Sequence, residues 1–206
     1  MRMEMPKGAQ YTPLLIGVCN EEAAALCADS RATFFDGDGF KQDDNCRKIF
    51  KVNDGLLFGA CGLFDNSELL VDPLVGQDCE SLDVDAAKEL AEAFILGELA
   101  AWGQTHERCY VMAGLDADGR HCLAYVRYNA EDGQIETEKQ VGDEQGSYLL
   151  LLPPNAQEDS ARWRERLEET LADNGAPLSV RLSGYVAEVS AVSELIGGTV
   201  KCVSVR

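Results

Sequence analysis

Asp29 and Lys48 carry opposite charges at the ends of two apolar segments. Asp29 closes the run Ala23–Cys27, and Lys48 opens the run Lys48-Ile49-Phe50-Lys51-Val52. The plainest reading of such a pair is a partly buried ion pair that stitches two strands together. Other residues offer chemistry by type but not by pattern. Cys19 and Cys27 could act as thiol nucleophiles only with a base to ionise them, yet both lie in apolar strand patterns with no histidine nearby in sequence, so packing is their expected role. The only histidines, His106 and His121, are not grouped with carboxylates at metal-ligand spacing, and no metal site is expected. The acidic loop Asp36-Gly37-Asp38-Gly39 to Asp43-Asp44 superficially suggests calcium. It lacks the closing glutamate and flanking helices of an EF-hand and reads as a solvated loop.

The elements that must position the charged pair are legible around it. Leu14–Cys19 and Ala23–Cys27 are apolar runs separated by Asn20-Glu21-Glu22, the pattern of two buried strands with a tight turn. Asp54-Gly55, between Lys48–Val52 and Leu56–Gly62, predicts a hairpin in which glycine supplies a positive φ. Leu63–Val75 fits either a short helix or an apolar loop. The clearest helix spans Asp83–Trp102, with Asp83 or Ser81 as cap, Asp85 at the positive end of the dipole and Gly103 as terminator. Runs at 108–115, 121–128 and 134–141, joined at Asp118-Gly119 and Asp132-Gly133, predict an antiparallel meander. Ser147–Leu152 is continuously apolar and reads as a central strand, stopped by Pro153-Pro154-Asn155. Glu158–Asp173 predicts a second helix, 180–196 fits helix or strand, and 198–205 a closing strand.

Composition narrows the class. With 206 residues the chain suits one domain, with an extended leader at 1–11 and a single domain over 12–206. Its 18 basic against 36 acidic residues give a net charge of −18, which argues against nucleic acid and anionic membrane surfaces as partners. The eight cysteines form no C-x-x-C pair and mostly sit in strand patterns, which fits a reducing, cytoplasmic setting. No segment has the apolar core of a signal peptide or the ~18 apolar residues of a membrane span.

The stretch 14–62 resembles the proteasome β subunits and their bacterial peptidase relatives, which are N-terminal-nucleophile (Ntn) hydrolases. The shared motifs are Asp29-Ser30-Arg31-Ala32-Thr33, then Lys48-Ile49, then Ala60-Cys61-Gly62 at the family's spacing from the lysine. Ala113-Gly114-Leu115-Asp116 matches a further family pattern, and the resemblance is poor after Gly146. It implies an α+β fold: a four-layer αββα sandwich of two antiparallel sheets flanked by helices.

The resemblance also implies a site. In the family an N-terminal threonine freed by self-cleavage is the nucleophile, and its α-amine, with a pKa of roughly 7.7 to 8.0, is the base. By resemblance Lys48 would lower the hydroxyl pKa and Asp29 would hold that lysine. Arg31 would support them, Gly62 would present its N–H to an oxyanion and substrate, and Ala60 would line the pocket before the scissile bond. The sequence departs from this pattern at the nucleophile: counting back from Asp29 by the family's spacing lands on Pro13, with Thr12 one residue too early. The Gly-Ser-Gly after the central strand falls on Pro153-Pro154-Asn155, and the Asp-x-x-Ser-Gly before the last strand has no match at 193–198.

Three readings follow. The leading one is a divergent, unprocessed and non-catalytic proteasome-like protein without cofactor, a structural or peptide-binding homo-oligomer, in a ring by resemblance. The second is an active threonine endopeptidase of peptide or protein substrates using Thr12, Asp29 and Lys48. The third is a small acidic binding protein outside the family.

Overall fold

The structure is a computed structural model that describes residues 10–12, 14–35, 40–64, 67–103, 105–157, 159–173 and 175–206. In chain order, strands β1 (Gln10–Thr12), β2 (Leu15–Cys19), β3 (Ala24–Asp29), β4 (Ala32–Phe35), β5 (Phe40–Asp43), β6 (Ile49–Lys51) and β7 (Leu56–Phe64) lead to a 3-10 helix, Ser67–Leu74. Then come α1 (Val84–Trp102), β8 (Arg108–Leu115), β9 (His121–Asn129), β10 (Gln134–Val141) and β11 (Ser147–Leu151). The chain finishes with α2 (Pro154–Gln157), α3 (Ser160–Ala172), α4 (Leu178–Ser190) and β12 (Val200–Val205).

Period-two patterning sorts these strands into layers. In β7 and β8, Leu56, Phe58, Ala60, Tyr110 and Met112 face α1, while Leu57, Cys61, Cys109, Val111 and Ala113 face the other sheet. In β2 and β3, Leu15 and Leu26 point into that inter-sheet core, while Ile16, Val18 and Ala25 pack against Trp163, Leu182 and Tyr185 of α3 and α4. The result is α1, an eight-stranded sheet in the order β10-β9-β8-β7-β1-β4-β5 with β6 also on β7, a four-stranded sheet in the order β11-β2-β3-β12, and finally α3 with α4. Every strand pair is antiparallel, and the helices cover opposite outer faces, as the four-layer expectation required. The sheets approach closely at Gly59, where a Cβ would come within 2.6 Å of Leu15 Cδ1.

The structure corrects some expectations and decides others that the sequence leaves open. Ser147–Leu151 is an edge strand, paired only with β2, and not a central one. Val180–Ser190 lies within a helix, because Leu182, Tyr185, Val186 and Val189 form one buried stripe at helical spacing. Leu63 and Phe64 continue β7 before the 3-10 turn. The Asp54-Gly55 hairpin exists, but Gly55 is not among the glycines with positive φ. The loop is held by Asn53, whose Oδ1 accepts from Gly55 N at 2.8 Å and whose Nδ2 donates to the carbonyls of Cys79 and Leu82. The acidic loop is in part a strand: Asp43 ends β5 and Asp44 pairs with Arg31, whereas Asp36–Gly39 lie outside the described residues. Of the expected leader, residues 1–9 lie outside the described residues, and residues 10–12 form β1 within the larger sheet. Cys27 is buried as expected, yet it is not a free thiol: it is bonded to Cys202, directly opposite on β12. The other six cysteines form no disulfide.

The start of α1 is fixed by a charged knot. Asp83 caps it, accepting from Ala86 N at 2.8 Å, and Lys139 Nζ of β10 lies 2.8 Å from Asp85 and 3.0 Å from Asp116. Burial alone would raise the Asp116 pKa, but hydrogen bonds from the Arg120 backbone, Lys139 and the Arg120 side chain outweigh it and hold the carboxyl below the usual range. A depressed carboxyl contributes stability that is fully present above its unfolded pKa of about 3.9 and is lost as pH falls through the folded value. Asp116→Asn should therefore lower stability by about 2 kcal/mol at neutral pH. Denaturant titrations should show the gap from wild type narrowing below pH ~4; an equal gap at pH 3 and pH 7 would contradict this account.

Candidate functional site

Asp29 sits at the end of β3 and Lys48 one residue before β6, so the pair spans the two sheets. Lys48 Nζ lies 2.6 Å from Asp29 Oδ1, and both side chains are 1% exposed. The other carboxylate oxygen accepts from the backbone N–H of Arg31 and of Gly197, each at 3.0 Å. Three donors thus converge on one buried carboxylate, the arrangement that lets a charge persist without water. Burial pushes the Lys48 pKa below the ordinary lysine value, and the adjacent Asp29 carboxylate opposes that shift. The arrangement could offer a positive charge, with a proton easier to release than usual, to a nucleophile beside it.

Arg31 reaches away from the pair. Its guanidinium forks onto Asp44, with Nε–Oδ1 at 2.6 Å and Nη2–Oδ2 at 3.0 Å, and Nη1 donates to the carbonyls of Glu194 and Ile196. It fixes the loop before β12, whose Gly197 N–H meets Asp29. Ser30 extends the same clamp, since its Oγ donates to the Asp44 carbonyl and accepts from Thr199 N at 2.8 Å. Sequence reasoning missed Ser30, Asp44, Gly197 and Thr199. They act through backbone groups or side chains brought in from distant positions, and only the glycine of Gly197-Gly198 was a local signal.

Ala60 is fully buried in the core against α1, and its N–H donates to the Lys48 carbonyl at 3.1 Å. Two residues on, Gly62 has φ +117°, where a Cβ would fall 2.6 Å from both Arg108 Cα and Glu107 O. Only glycine fits there. The strand opposite Gly62 is β1. Thr12 pairs with Gly62, Tyr11 with Leu63 and Gln10 with Phe64, while on its other edge Tyr11 pairs with Thr33 and Gln10 with Phe34. The structure therefore brings Asp29 and Lys48 into contact and puts the Thr12 backbone against Gly62. The hydroxyl of Thr12 and all of Pro13 lie outside the described residues. Among the described residues no cluster of metal-ligating side chains occurs.

No protein-family model matches this chain, and no curated protein matches it. Solved structures do. Thiobacillus denitrificans BPH in complex with epoxomicin aligns with a TM-score of 0.60 at 14% identity, covering 94% of this chain and 98% of that one. A second structure of Thiobacillus denitrificans BPH gives 0.60 at 14% identity, covering 94% and 97%. Eukaryotic HslV from Trypanosoma brucei gives 0.54 at 13% identity, covering 94% and 99%. These likenesses show the fold: an Ntn-hydrolase sandwich of the proteasome β-subunit-like kind.

Removing one partner of the buried pair leaves the other as an uncompensated charge. Lys48→Met should cost about 3–5 kcal/mol, whereas Asp29→Leu with Lys48→Met should cost well below the sum of the two single changes. Urea denaturation of the three variants measures the coupling; additive single effects would contradict a direct buried pair.

Proposed function

We propose that this chain is an unprocessed, non-catalytic relative of proteasome β subunits that works as a structural or peptide-binding homo-oligomer. The observation that carries this reading is β1. Residues 10–12 lie as a strand between β4 and β7, all three paired with β7 and two of them with β4, in a molecule that keeps Asp29 and Lys48 in contact. An extended segment held between two strand edges is the geometry of peptide recognition by strand addition. In this reading residues 1–11 stay attached and the slot between β4 and β7 is filled from within.

Counting supports the loss of chemistry. With Gly197 taken as the glycine of the family's Asp-x-x-Ser-Gly pattern, its serine and aspartate positions fall on Ile196, which has no polar side-chain atom, and Ser193, which has no carboxylate, so the pattern's serine and aspartate are both replaced. Proline, which the family's spacing puts in the nucleophile's place, has no hydroxyl. Self-cleavage needs that hydroxyl in near-attack geometry against the preceding carbonyl, and without it no base is freed. In this reading Asp29 and Lys48 persist for what they do to the fold, with Arg31 as their brace and Ala60 and Gly62 as the floor of the slot. The pairing of Thr12 with Gly62 favours a second reading, a threonine endopeptidase that starts at Thr12. Among the described residues no helix is long and apolar enough to cross a membrane, and although Cys27 and Cys202 form a disulfide, the six cysteines outside it accord with a cytoplasmic location. The charge of −18 accords with partners other than nucleic acid.

Intact-mass spectrometry of the recombinant protein should find Met1 or Arg2 at its N-terminus, with no turnover of fluorogenic peptides. A species starting at Thr12, with turnover abolished by Thr12→Ala and by Lys48→Ala, would replace this reading with the peptidase. Assembly is checked separately by light scattering, which should return a multiple of the 22.4 kDa chain at micromolar concentration. A monomer mass would remove the oligomer from the proposal.

A further inference from the structure

Cys27 and Cys202 face each other across β3 and β12 and are joined by a disulfide between residues 175 positions apart. Their surroundings differ. Cys27 is fully buried against α3 and α4, whereas Cys202 is half-buried and lines a cavity of about 780 Å³ with Tyr148, Leu178, Ser179 and Val203. A second pair, Cys61 and Cys109, is also opposite in register, on β7 and β8. Both of these remain free thiols and are buried between the sheets, away from that cavity.

What the disulfide holds matters more than its position. Among the described residues β12 is an edge strand whose only strand neighbour is β3. Two residues along from Cys27 the ladder reaches Val200 opposite Asp29, and just beyond it Gly197 N–H binds the Asp29 carboxylate and Thr199 N–H binds Ser30 Oγ. The covalent link therefore sits directly behind the loop that supplies one of three donors to the buried carboxylate. An edge strand keeps ladder bonds on one side only, so its order depends more on any additional tie than that of a central strand does.

We propose that Cys27–Cys202 is a thiol-responsive latch: reduction through the cavity releases β12 and its 197–199 loop and loosens the grip on Asp29, and the reverse exchange, with the disulfide of that same small thiol as the two-electron oxidant, restores it. The reductant is a small monothiol such as glutathione, or dithiothreitol in vitro. A reductant thiolate attacks Cys202 Sγ, the S–S bond breaks, and Cys27 leaves as a thiolate and takes up a proton. A second reductant thiolate attacks the mixed disulfide, Cys202 leaves and is protonated, and the two reductant sulfurs end bonded to each other. Two electrons and two protons pass from reductant to protein.

The test pairs thiol counting with native-state hydrogen exchange on the whole chain. Unreduced protein, denatured in iodoacetamide, should take up six carbamidomethyl groups, and eight after reduction. Dithiothreitol should speed amide exchange at 197–205 at least ten-fold while exchange in α1 is unchanged. Cys202→Ser should exchange like reduced wild type and ignore the reductant. Eight groups before reduction would overturn the proposal, and so would exchange at 197–205 that reductant does not change. If Cys202→Ser does not fold, oxidised and reduced wild type still decide.

Discussion

The ion pair between Lys48 and Asp29 is the constraint on which the rest of the molecule depends. Two charges with almost no water contact are tolerable only if they are paired and hydrogen-bonded, and here the donors to Asp29 come from three places in the chain, Lys48, Arg31 and Gly197. Asp29 must stand at the end of β3, and Arg31 must turn sharply enough for its own N–H to meet the carboxylate. The segment after α4 must return so that Gly197 faces it. Arg31 and Ser30 then hold that segment and Asp44 in one clamp. Through Lys48 the requirement passes to the second sheet, where the Lys48 carbonyl accepts from Ala60 and sets the height of β7. The stacking of the two sheets, which area burial alone would allow in several registers, is thereby pinned at one point.

How far this was legible in the sequence follows from which forces are local. The tight turn at Asn20, the cap at Asp83, the left-handed Gly103, Gly119 and Gly133, and the meander from β8 to β10 are written in consecutive residues and were readable. The edge position of β11 was not. Leu149 and Leu151 pack between the sheets while Tyr148 and Leu150 pack towards α3 and α4, so both faces are covered although only one edge is paired. Apolar content reports faces and is blind to edges. β4 and β5 were hidden for a related reason. Each is four residues long, with an acidic segment between them, and their pairing is settled by neighbours rather than by their own pattern.

The site divides in the same way. Asp29, Lys48 and Gly62 were found because each lies in a short motif of the stretch 14–62 that carries the resemblance, although only Lys48 and Gly62 share a hairpin. Gly197 and Asp44 were not, because one lies 168 residues from the carboxylate it binds and the other works through a side chain whose partner, Arg31, had been assigned to support Asp29. The Cys27–Cys202 bond belongs to the same class of non-local fact: eight cysteines allow many pairings, and only the register of β3 against β12 selects this one.

The insertion of β1 between β4 and β7 has a consequence for competition. The inserted strand is tethered to β2 through a two-residue connection, so it meets the slot at a local concentration rather than a bulk one, and for short tethers that is on the order of millimolar or above. An external strand of equal intrinsic affinity must be present at that level before it displaces half of the resident one. Only a sequence whose side chains fit the flanking positions much better, or cleavage of the tether, changes that ratio. Under the proposed peptide-binding reading, the length of the connection after Thr12 would thus act as a threshold on what can enter between β4 and β7, independently of how well those strands are shaped to receive it.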